Sequence, residues 1–228
     1  MSESHAEVPV TAVRRAMVLA AGRGDRMRPL TDTVPKPLLT VRGKPLIVWH
    51  LERLARLGVK QVVINLAWLG DQMRAALGDG ERWRLQIHYS DEGEQALETG
   101  GGIFQALPQL GQQPFLVVNA DVFTDLDFGA VQIAPQALAQ LVLVDNPTHH
   151  PHGDFALVNG LVQEQGGARW TYSGIGLYRP ELFQGCSAGA FPLLPLFRRA
   201  IACGRLHGQV FAGAWSDVGS VERLAALQ

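Results

Sequence analysis

The stretch that decides the fold covers residues 19–37 and reads Leu-Ala-Ala-Gly-Arg-Gly-Asp-Arg-Met-Arg-Pro-Leu-Thr-Asp-Thr-Val-Pro-Lys-Pro. A short apolar run at 16–19 leads into it, and its length is typical of a buried parallel strand. Gly22 and Gly24 allow a tight turn in which backbone N–H groups can converge on an anion. A glycine turn at the end of a strand, followed by fixed cations, predicts a polyphosphate site at the carboxyl edge of an open sheet.

The glycine spacing differs from two common phosphate-binding loops. The dinucleotide fingerprint needs G-x-G-x-x-G and the Walker loop needs G-x-x-x-x-G-K-[ST]. Here Arg26 follows the two glycines, and Lys36 arrives ten positions later between two prolines. The prolines fix φ and hold the lysine's segment extended, which lowers the entropy cost of aiming its ammonium group. From these residues alone, an ordinary strand-to-helix loop with solvated arginines remains the alternative.

The complete run resembles the signature of the sugar-phosphate nucleotidyltransferases. In that family Leu-Ala-Ala-Gly-x-Gly-x-Arg-(Met/Leu)-x-Pro-Leu-Thr is followed by Pro-Lys-Pro, and every element of the pattern stands in this sequence. The resemblance implies that the loop binds a nucleoside triphosphate and that Arg26 and Lys36 are catalytic. The nucleotide-binding residues that it implies in the loop are Leu19, Ala20, Ala21, Gly22, Gly24, Arg26 and Lys36.

The composition excludes several other classes of protein. A chain of 228 residues, 47% hydrophobic and 18% charged, is long enough for one large core. A formal net charge of −1 offers no field for nucleic acid or an anionic membrane. Cys186 and Cys203 are too few for a disulfide framework, and no apolar run approaches the ~20 residues that span a bilayer. We expect a cytoplasmic protein with a flexible leader over residues 1–15 and a single domain over 16–228.

Apolar runs and helical patterns alternate along the chain. This order predicts an α/β fold, Rossmann-like, with three α/β/α layers around a mostly parallel twisted sheet and a small antiparallel hairpin region for a sugar. The predicted strands are 16–19, 62–64, 85–89, 115–118, 138–144, 154–158, 161–165, 171–178 and 209–214. The predicted helices are 44–57, 69–77, one that ends at 110, 193–202 and 221–227.

Two aspartates are candidate metal ligands. Nucleotidyl transfer to a sugar phosphate needs no general base, because the nucleophile is already anionic, but it needs charge neutralisation. Asp121 directly follows an apolar strand, and Asp217 lies in Trp-Ser-Asp-Val-Gly; taken alone, either is also typical of a turn. Both match family motifs, with Ala120 where the family usually has glycine. The resemblance implies that Asp121 and Asp217 hold one Mg²⁺.

Shorter matches supply the remaining binding residues. The segment 97–101 resembles Leu-Gly-Thr-Ala-Gly, which packs around the nucleoside base in the family, although Glu98 replaces a glycine. This implies nucleotide contacts for Thr99 and Gly100, and Asn65 at a strand end is a further candidate; a helix cap and a turn are the alternatives. The sugar-binding candidates are Asn119, Gly153, Asp154 and Ser173, and hairpin packing explains the last three nearly as well.

The choice among family members depends on a few segments. Residues 64–70 and 98–103 look most like the bacterial N-acetylmuramic acid 1-phosphate uridylyltransferases of cell-wall (peptidoglycan) recycling, which implies UTP and N-acetylmuramic acid 1-phosphate as substrates. Mannose-1-phosphate guanylyltransferases share the opening motif and are the alternative. A third hypothesis is a sensor that binds nucleotide sugars without turnover, although the complete set of charges argues against it. The Glu-Lys-Pro segment of larger relatives is absent, which leaves open the cation that binds the sugar's phosphate, and the oligomeric state is open too.

Overall fold

The computed structural model describes residues 13–93 and 96–228 and is built around a nine-stranded sheet. The strands are β1 (Arg15–Leu19), β2 (Thr40–Val41), β3 (Lys44–Pro45), β4 (Gln61–Leu66), β5 (Gln86–Asp91), β6 (Phe115–Asn119), β7 (Val122–Thr124), β8 (Ala139–Val144), β9 (Phe155–Val158), β10 (Leu161–Gln163), β11 (Arg169–Tyr178), β12 (Leu206–Val210) and β13 (Trp215–Asp217). The helices are α1 (Leu30–Thr33), α2 (Leu46–Leu57), α3 (Gly70–Leu77), α4 (Glu98–Leu110), α5 (Leu194–Ala202) and α6 (Val221–Ala225).

The large sheet has the order β5-β4-β1-β6-β11-β8-β12-β10-β9. Strands β5, β4, β1 and β6 are parallel, whereas β11 runs antiparallel between β6 and β8. The β9–β10 hairpin closes through Asn159 and Gly160, whose φ angles of 51° and 78° suit a two-residue turn. The α/β class is confirmed, and the antiparallel part is larger than the hairpin that the sequence predicts.

Helices cover both faces of the sheet. Along β1, Ala16 and Val18 join one buried cluster, with residues of α2 and α3. Met17, which points to the opposite face, joins a second cluster with α4 and α5. The three-layer arrangement follows from this alternation, because each face of the parallel strands needs its own apolar cover.

The observed element bounds correct three predictions. Arg15, predicted to end the leader, is the first residue of β1, where Nε donates to Gln61 Oε1 at 2.7 Å; the leader over 1–12 lies outside the described residues. Helix α2 begins at Leu46 and not at residue 44, since β3 pairs with β2 first. The strand predicted at 209–214 is wrong at both ends, because Leu206–Val210 pairs with β8 and Gly208 masks its pattern. Over 13–93 and 96–228, no helix is both long and apolar enough to cross a lipid bilayer.

Candidate active site

A cleft of about 260 Å³ lies at the carboxyl ends of three neighbouring parallel strands. In register, Leu19 of β1 lies between Asn65 of β4 and Asn119 of β6, so the last residues of these strands share one edge. This is the edge where an open α/β sheet places its ligands. The cleft is lined by Leu19, Ala20, Ala21, Gly22, Gly24, Lys36, Pro37, Asn65, Glu92, Ala96, Glu98, Thr99, Asn119, Ala120 and Asp121.

The loop after β1 is held by its own side chains. Gly24 adopts the left-handed φ of 74°, and its carbonyl accepts bonds from Thr31 Oγ1 and from the Met27 N–H, both at 2.9 Å. Arg23 lies 3.6 Å from the centre of the Trp68 ring and ion-pairs with Asp32 at 3.1 Å. These contacts within the protein hold the glycine turn in place.

Lys36 and Asp121 meet inside the cleft. Lys36 opens a short 3₁₀ helix, Lys36–Leu38, so the extended backbone predicted for the lysine's segment is wrong. Within Pro-Lys-Pro, only Pro35, which precedes the helix, is extended. Its Nζ forms an ion pair with Asp121 Oδ2, and the lysine side chain is only 11% exposed. A predicted catalytic cation and a candidate metal ligand thus neutralise each other.

A buried polar network forms the floor of the cleft. Asn65 Oδ1 accepts from the Ala20 N–H at 2.7 Å, and Asn65 Nδ2 donates to Glu92 Oε1 at 2.7 Å. Glu92 Oε2 in turn accepts from the Leu97 N–H at 2.7 Å. The network ties the glycine loop to the start of α4. Sequence reasoning missed Glu92, whose signal was an acid directly after a strand of the parallel sheet.

Of the two nucleotide contacts predicted at the start of α4, Thr99 lines the cleft and Gly100 does not. Glu98 keeps a left-handed φ of 56° where the family pattern has glycine, and it lines the cleft with Thr99. Gly100 faces away from the cleft, since a Cβ there would lie 2.6 Å from the Phe191 ring. Packing against Phe191 is thus enough to explain the glycine, and its contact with nucleotide stays a prediction.

Asp217 ends one strand of a separate two-stranded ladder, and Asp121 directly precedes the other strand. Strand β13 pairs antiparallel with β7 so that Asp217 is opposite Val122, and the Val218 N–H donates to the Asp121 carbonyl at 2.8 Å. The Asp217 carboxylate accepts from Arg223 Nη1 at 2.6 Å on each oxygen. His149 Nε2 lies 3.1 Å from Asp217 Oδ1.

This donor set suits a hard divalent cation that brings its other ligands with it. Mg²⁺ in phosphate-transfer sites is held by one or two carboxylates and by substrate oxygens, and keeps several waters. The described residues contain no cluster of three or more potential ligands, which would favour a closed protein cage. Asp217 and Asp121, at one end of the β7–β13 ladder, therefore fit a shared Mg²⁺.

Arg26 lies beside Asp217's segment and not in the lining of the cleft. It is exposed in the 3₁₀ helix Asp25–Met27, and a Cβ at Gly219 would lie 3.1 Å from its Nη2. Its guanidinium is thus close to the Asp-Val-Gly motif that carries the second aspartate.

One of the four predicted sugar-binding residues lies in the cleft. Asn119 lines the cleft, whereas Gly153, Asp154 and Ser173 do not. Asp154 Oδ2 accepts from the Tyr172 N–H at 2.8 Å, and its Oδ1 lies 3.0 Å from His150 Nε2. Ser173 is 1% exposed, with Oγ accepting from a backbone N–H. Loop packing occupies these three residues, and their contact with a sugar stays a prediction.

Comparison with known proteins decides the family. Residues 15–163 match the family model described as nucleotidyl transferase. The chain belongs to the nucleotidyl transferase family. Within this family it is 53% identical to the N-acetylmuramate alpha-1-phosphate uridylyltransferase of Neisseria meningitidis serogroup B, over 94% of this chain and 96% of that protein. The Caulobacter vibrioides protein of the same name is 39% identical over the same shares of the two chains.

A solved structure agrees with this nucleotidyl transferase fold. A putative glucose-1-phosphate thymidylyltransferase from Bacillus anthracis superimposes with a TM-score of 0.81 at 19% identity, covering 93% of each chain. The sequence-based recognition of the sugar-phosphate nucleotidyltransferases and of their Rossmann-like fold is thus confirmed.

Proposed function

We propose that the protein transfers the uridylyl group of UTP to N-acetylmuramic acid 1-phosphate, giving UDP-N-acetylmuramate and pyrophosphate. The observation that carries this proposal is the β7–β13 ladder, which brings Asp217 beside Asp121, the ion-pair partner of Lys36 in the cleft. Two relatives of almost the same length carry names for this reaction, and this favours it over the guanylyl alternative.

The reaction requires little from the protein beyond positioning and charge. An oxygen of the sugar phosphate attacks the α-phosphorus in line, a new P–O bond forms, and the bond to the β-phosphate breaks to release pyrophosphate. Lys36 exchanges its partner Asp121 for the triphosphate, and Arg26 reaches it from the exposed side of the loop. Both cations then stabilise the negative charge that develops on the leaving group.

Asp121 and Asp217 would hold Mg²⁺, which supplies charge neutralisation on the reacting phosphates when it is bound. Asn65, with Thr99, would orient the nucleoside, since its network fixes both walls of the base-binding end of the cleft. Asn119 faces the sugar, with Gly153, Asp154 and Ser173 shaping the loop behind it. We assign the activity to one domain that begins with β1 at Arg15 and runs to residue 228, acting in the cytoplasm in peptidoglycan recycling.

The test is a matrix of pyrophosphate release, with UTP, GTP and dTTP each paired with the 1-phosphates of N-acetylmuramic acid, N-acetylglucosamine and mannose. UTP with N-acetylmuramic acid 1-phosphate should give the highest kcat/KM. Asp121→Asn should lower this rate at least about 100-fold, the scale for removing a group that stabilises transition-state charge. Asp71→Asn, an exposed aspartate in the first turn of α3, is the matched control.

Three results would contradict the proposal. A preference for GTP with mannose 1-phosphate would replace it by the guanylyl alternative. Binding of nucleotide without turnover of any pair would favour a sensor. Wild-type rates in Asp121→Asn would remove the carboxylate pair from the mechanism.

A further inference from the structure

Positive charge exceeds negative charge around Asp217. Arg223 Nη1 donates to both oxygens of this carboxylate at 2.6 Å, and the same atom lies 2.7 Å from His149 Nε2. Arg26 and Arg223 both lie close to Gly219, since a Cβ on Gly219 would collide with Arg223 Nη2 and crowd Arg26 Nη2. The Asp217 carboxylate therefore contacts one guanidinium group and a histidine, and a second guanidinium group lies beside the glycine two residues later. Such a cluster is suited to receive a second anion.

The cations already used by the triphosphate limit which anion this cluster can receive. In the proposed reaction Lys36, which is bound to Asp121 within the cleft, and Arg26 both serve the triphosphate. The sugar phosphate attacks the α-phosphorus in line, so it needs a cation that the leaving pyrophosphate does not use. Of the groups around Asp217, Arg223 and His149 are not assigned to the triphosphate, and Arg223 is the one with a fixed positive charge.

We propose that Arg223 is the residue that binds the phosphate of the sugar 1-phosphate, a role that rests on the proposed function. Asp217 holds the guanidinium in place before the substrate arrives, and its planar fork can then bind two phosphate oxygens. The side chain is 22% exposed, so it is ordered by its partners and still accessible from the solvent. The sugar phosphate carries a charge near −2, which needs a dedicated cation once Arg26 and Lys36 serve the triphosphate.

The location in the chain explains why sequence patterns did not reveal this residue. Arg223 lies on α6, six positions beyond Asp217, and its N–H bonds to the Ser220 cap of that helix. From the sequence pattern alone, an arginine at this position is typical of the solvent-exposed face of a terminal helix. Only the folding of β13 against β7 brings it to the reacting groups.

The experiment measures binding of sugar phosphates to the full chain without turnover. Isothermal titration calorimetry is performed in the presence of Mg²⁺ and α,β-methylene-UTP, which cannot be cleaved, for wild type, Arg223→Gln and Arg223→Lys. We expect Arg223→Gln to lower the affinity for N-acetylmuramic acid 1-phosphate about 10- to 100-fold, the range for a lost charge-assisted hydrogen bond. The affinity of this variant for N-acetylglucosamine 1-phosphate, which lacks the lactyl carboxylate, should fall by the same factor. Arg223→Lys should restore part of the affinity, because it keeps the charge without the fork.

Two controls separate this role from others. Arg205→Gln removes an exposed arginine that donates to the Gln136 carbonyl outside the cleft, and it should change neither affinity. Mn²⁺ binding, followed by electron paramagnetic resonance without substrates, shows whether Arg223 merely positions Asp217. A variant with weakened Mn²⁺ binding and unchanged sugar-phosphate affinity would overturn the assignment.

The remaining outcomes also decide the question. Loss of affinity for N-acetylmuramic acid 1-phosphate alone would mean that Arg223 binds the lactyl carboxylate, against our assignment. Unchanged affinity for both sugars in Arg223→Gln would exclude any contact. A wild-type protein that binds neither sugar phosphate would instead overturn the proposed function, and this assignment with it.

Discussion

Replacing Gly24 by alanine separates the cost of backbone strain from the effect of displacing Lys36, the lysine proposed to bind the triphosphate. Gly24 has a φ of +74°, and a Cβ built on it would lie 3.0 Å from Thr31 Cγ2 and 3.3 Å from Lys36 Cβ. Both neighbours must therefore give way by a few tenths of an ångström. Since Thr31 also bonds to the Gly24 carbonyl, the substitution acts on the segment that aims Lys36.

The two effects have different magnitudes. An L-residue in the left-handed region costs about 1–2 kcal/mol, which lowers Tm by about 2–4 °C per kcal/mol in a chain of this length. A displaced reacting group can cost up to about 100-fold in rate without any change in chemistry. Gly24→Ala should thus reduce stability moderately and kcat/KM about 10- to 100-fold.

Gly43 offers a matched control. It also has a φ of +74°, in the β2–β3 turn, but a Cβ there meets no atom within 4 Å. Gly43→Ala should lose a similar amount of stability and keep the wild-type kcat/KM. Thermal unfolding and initial rates of pyrophosphate release would be measured for both variants. Equal activity in the two would refute the reasoning, because strain alone would then explain the glycine.

Two further predictions concern buried polar groups. Burial, followed by the charge of Arg53, lowers the pKa of His50 from 6.5 to about 4; the unfolded chain therefore binds the proton first as the pH falls below 6.5, and the native state loses about 3 kcal/mol by pH 4. The free energy of unfolding would be measured in urea near pH 7 and near pH 4. His50→Leu should lose less stability between these pH values than wild type, whereas His88→Gln, at a partly exposed position, should lose as much as wild type. The same pH dependence in wild type and His50→Leu would contradict the lowered pKa of His50. Glu92→Gln places an amide donor against Asn65 or the Leu97 N–H and should raise the KM for UTP about tenfold, at a cost of about 1–3 kcal/mol in stability. Glu81→Gln, at an exposed position, is its control, and an unchanged KM would remove the network from nucleotide binding.

Local patterns were sufficient for the parts of the site that lie on regular strands. The apolar run before residue 20, the glycine turn and the Pro-Lys-Pro segment predicted the cleft's edge because each signal is complete within a few residues. Asp121 was found in the same way, at the end of a strand whose four apolar residues are all buried.

Other features depend on register between distant segments, which no local pattern contains. Strands β7 and β13 have three residues each, too few to show a period of two. Glu92 meets Asn65 because β5 lies beside β4 in one register, and a shift of one residue would reverse its side chain. His149 reaches Asp217 from a loop that the sequence could only identify as irregular.

The ladder between β7 and β13 also sets when the protein becomes competent during synthesis. The residues that line the cleft, including the glycine loop and Lys36, all lie within the first 121 positions, but β7 must wait for a partner that the ribosome produces almost a hundred residues later. Contacts of such long sequence separation form late, because the closure entropy is lost before they stabilise the fold. A partly made chain would thus present the cleft with Asp121 but without Asp217 beside it. Under the proposed mechanism, turnover would report that this last pair of strands has closed.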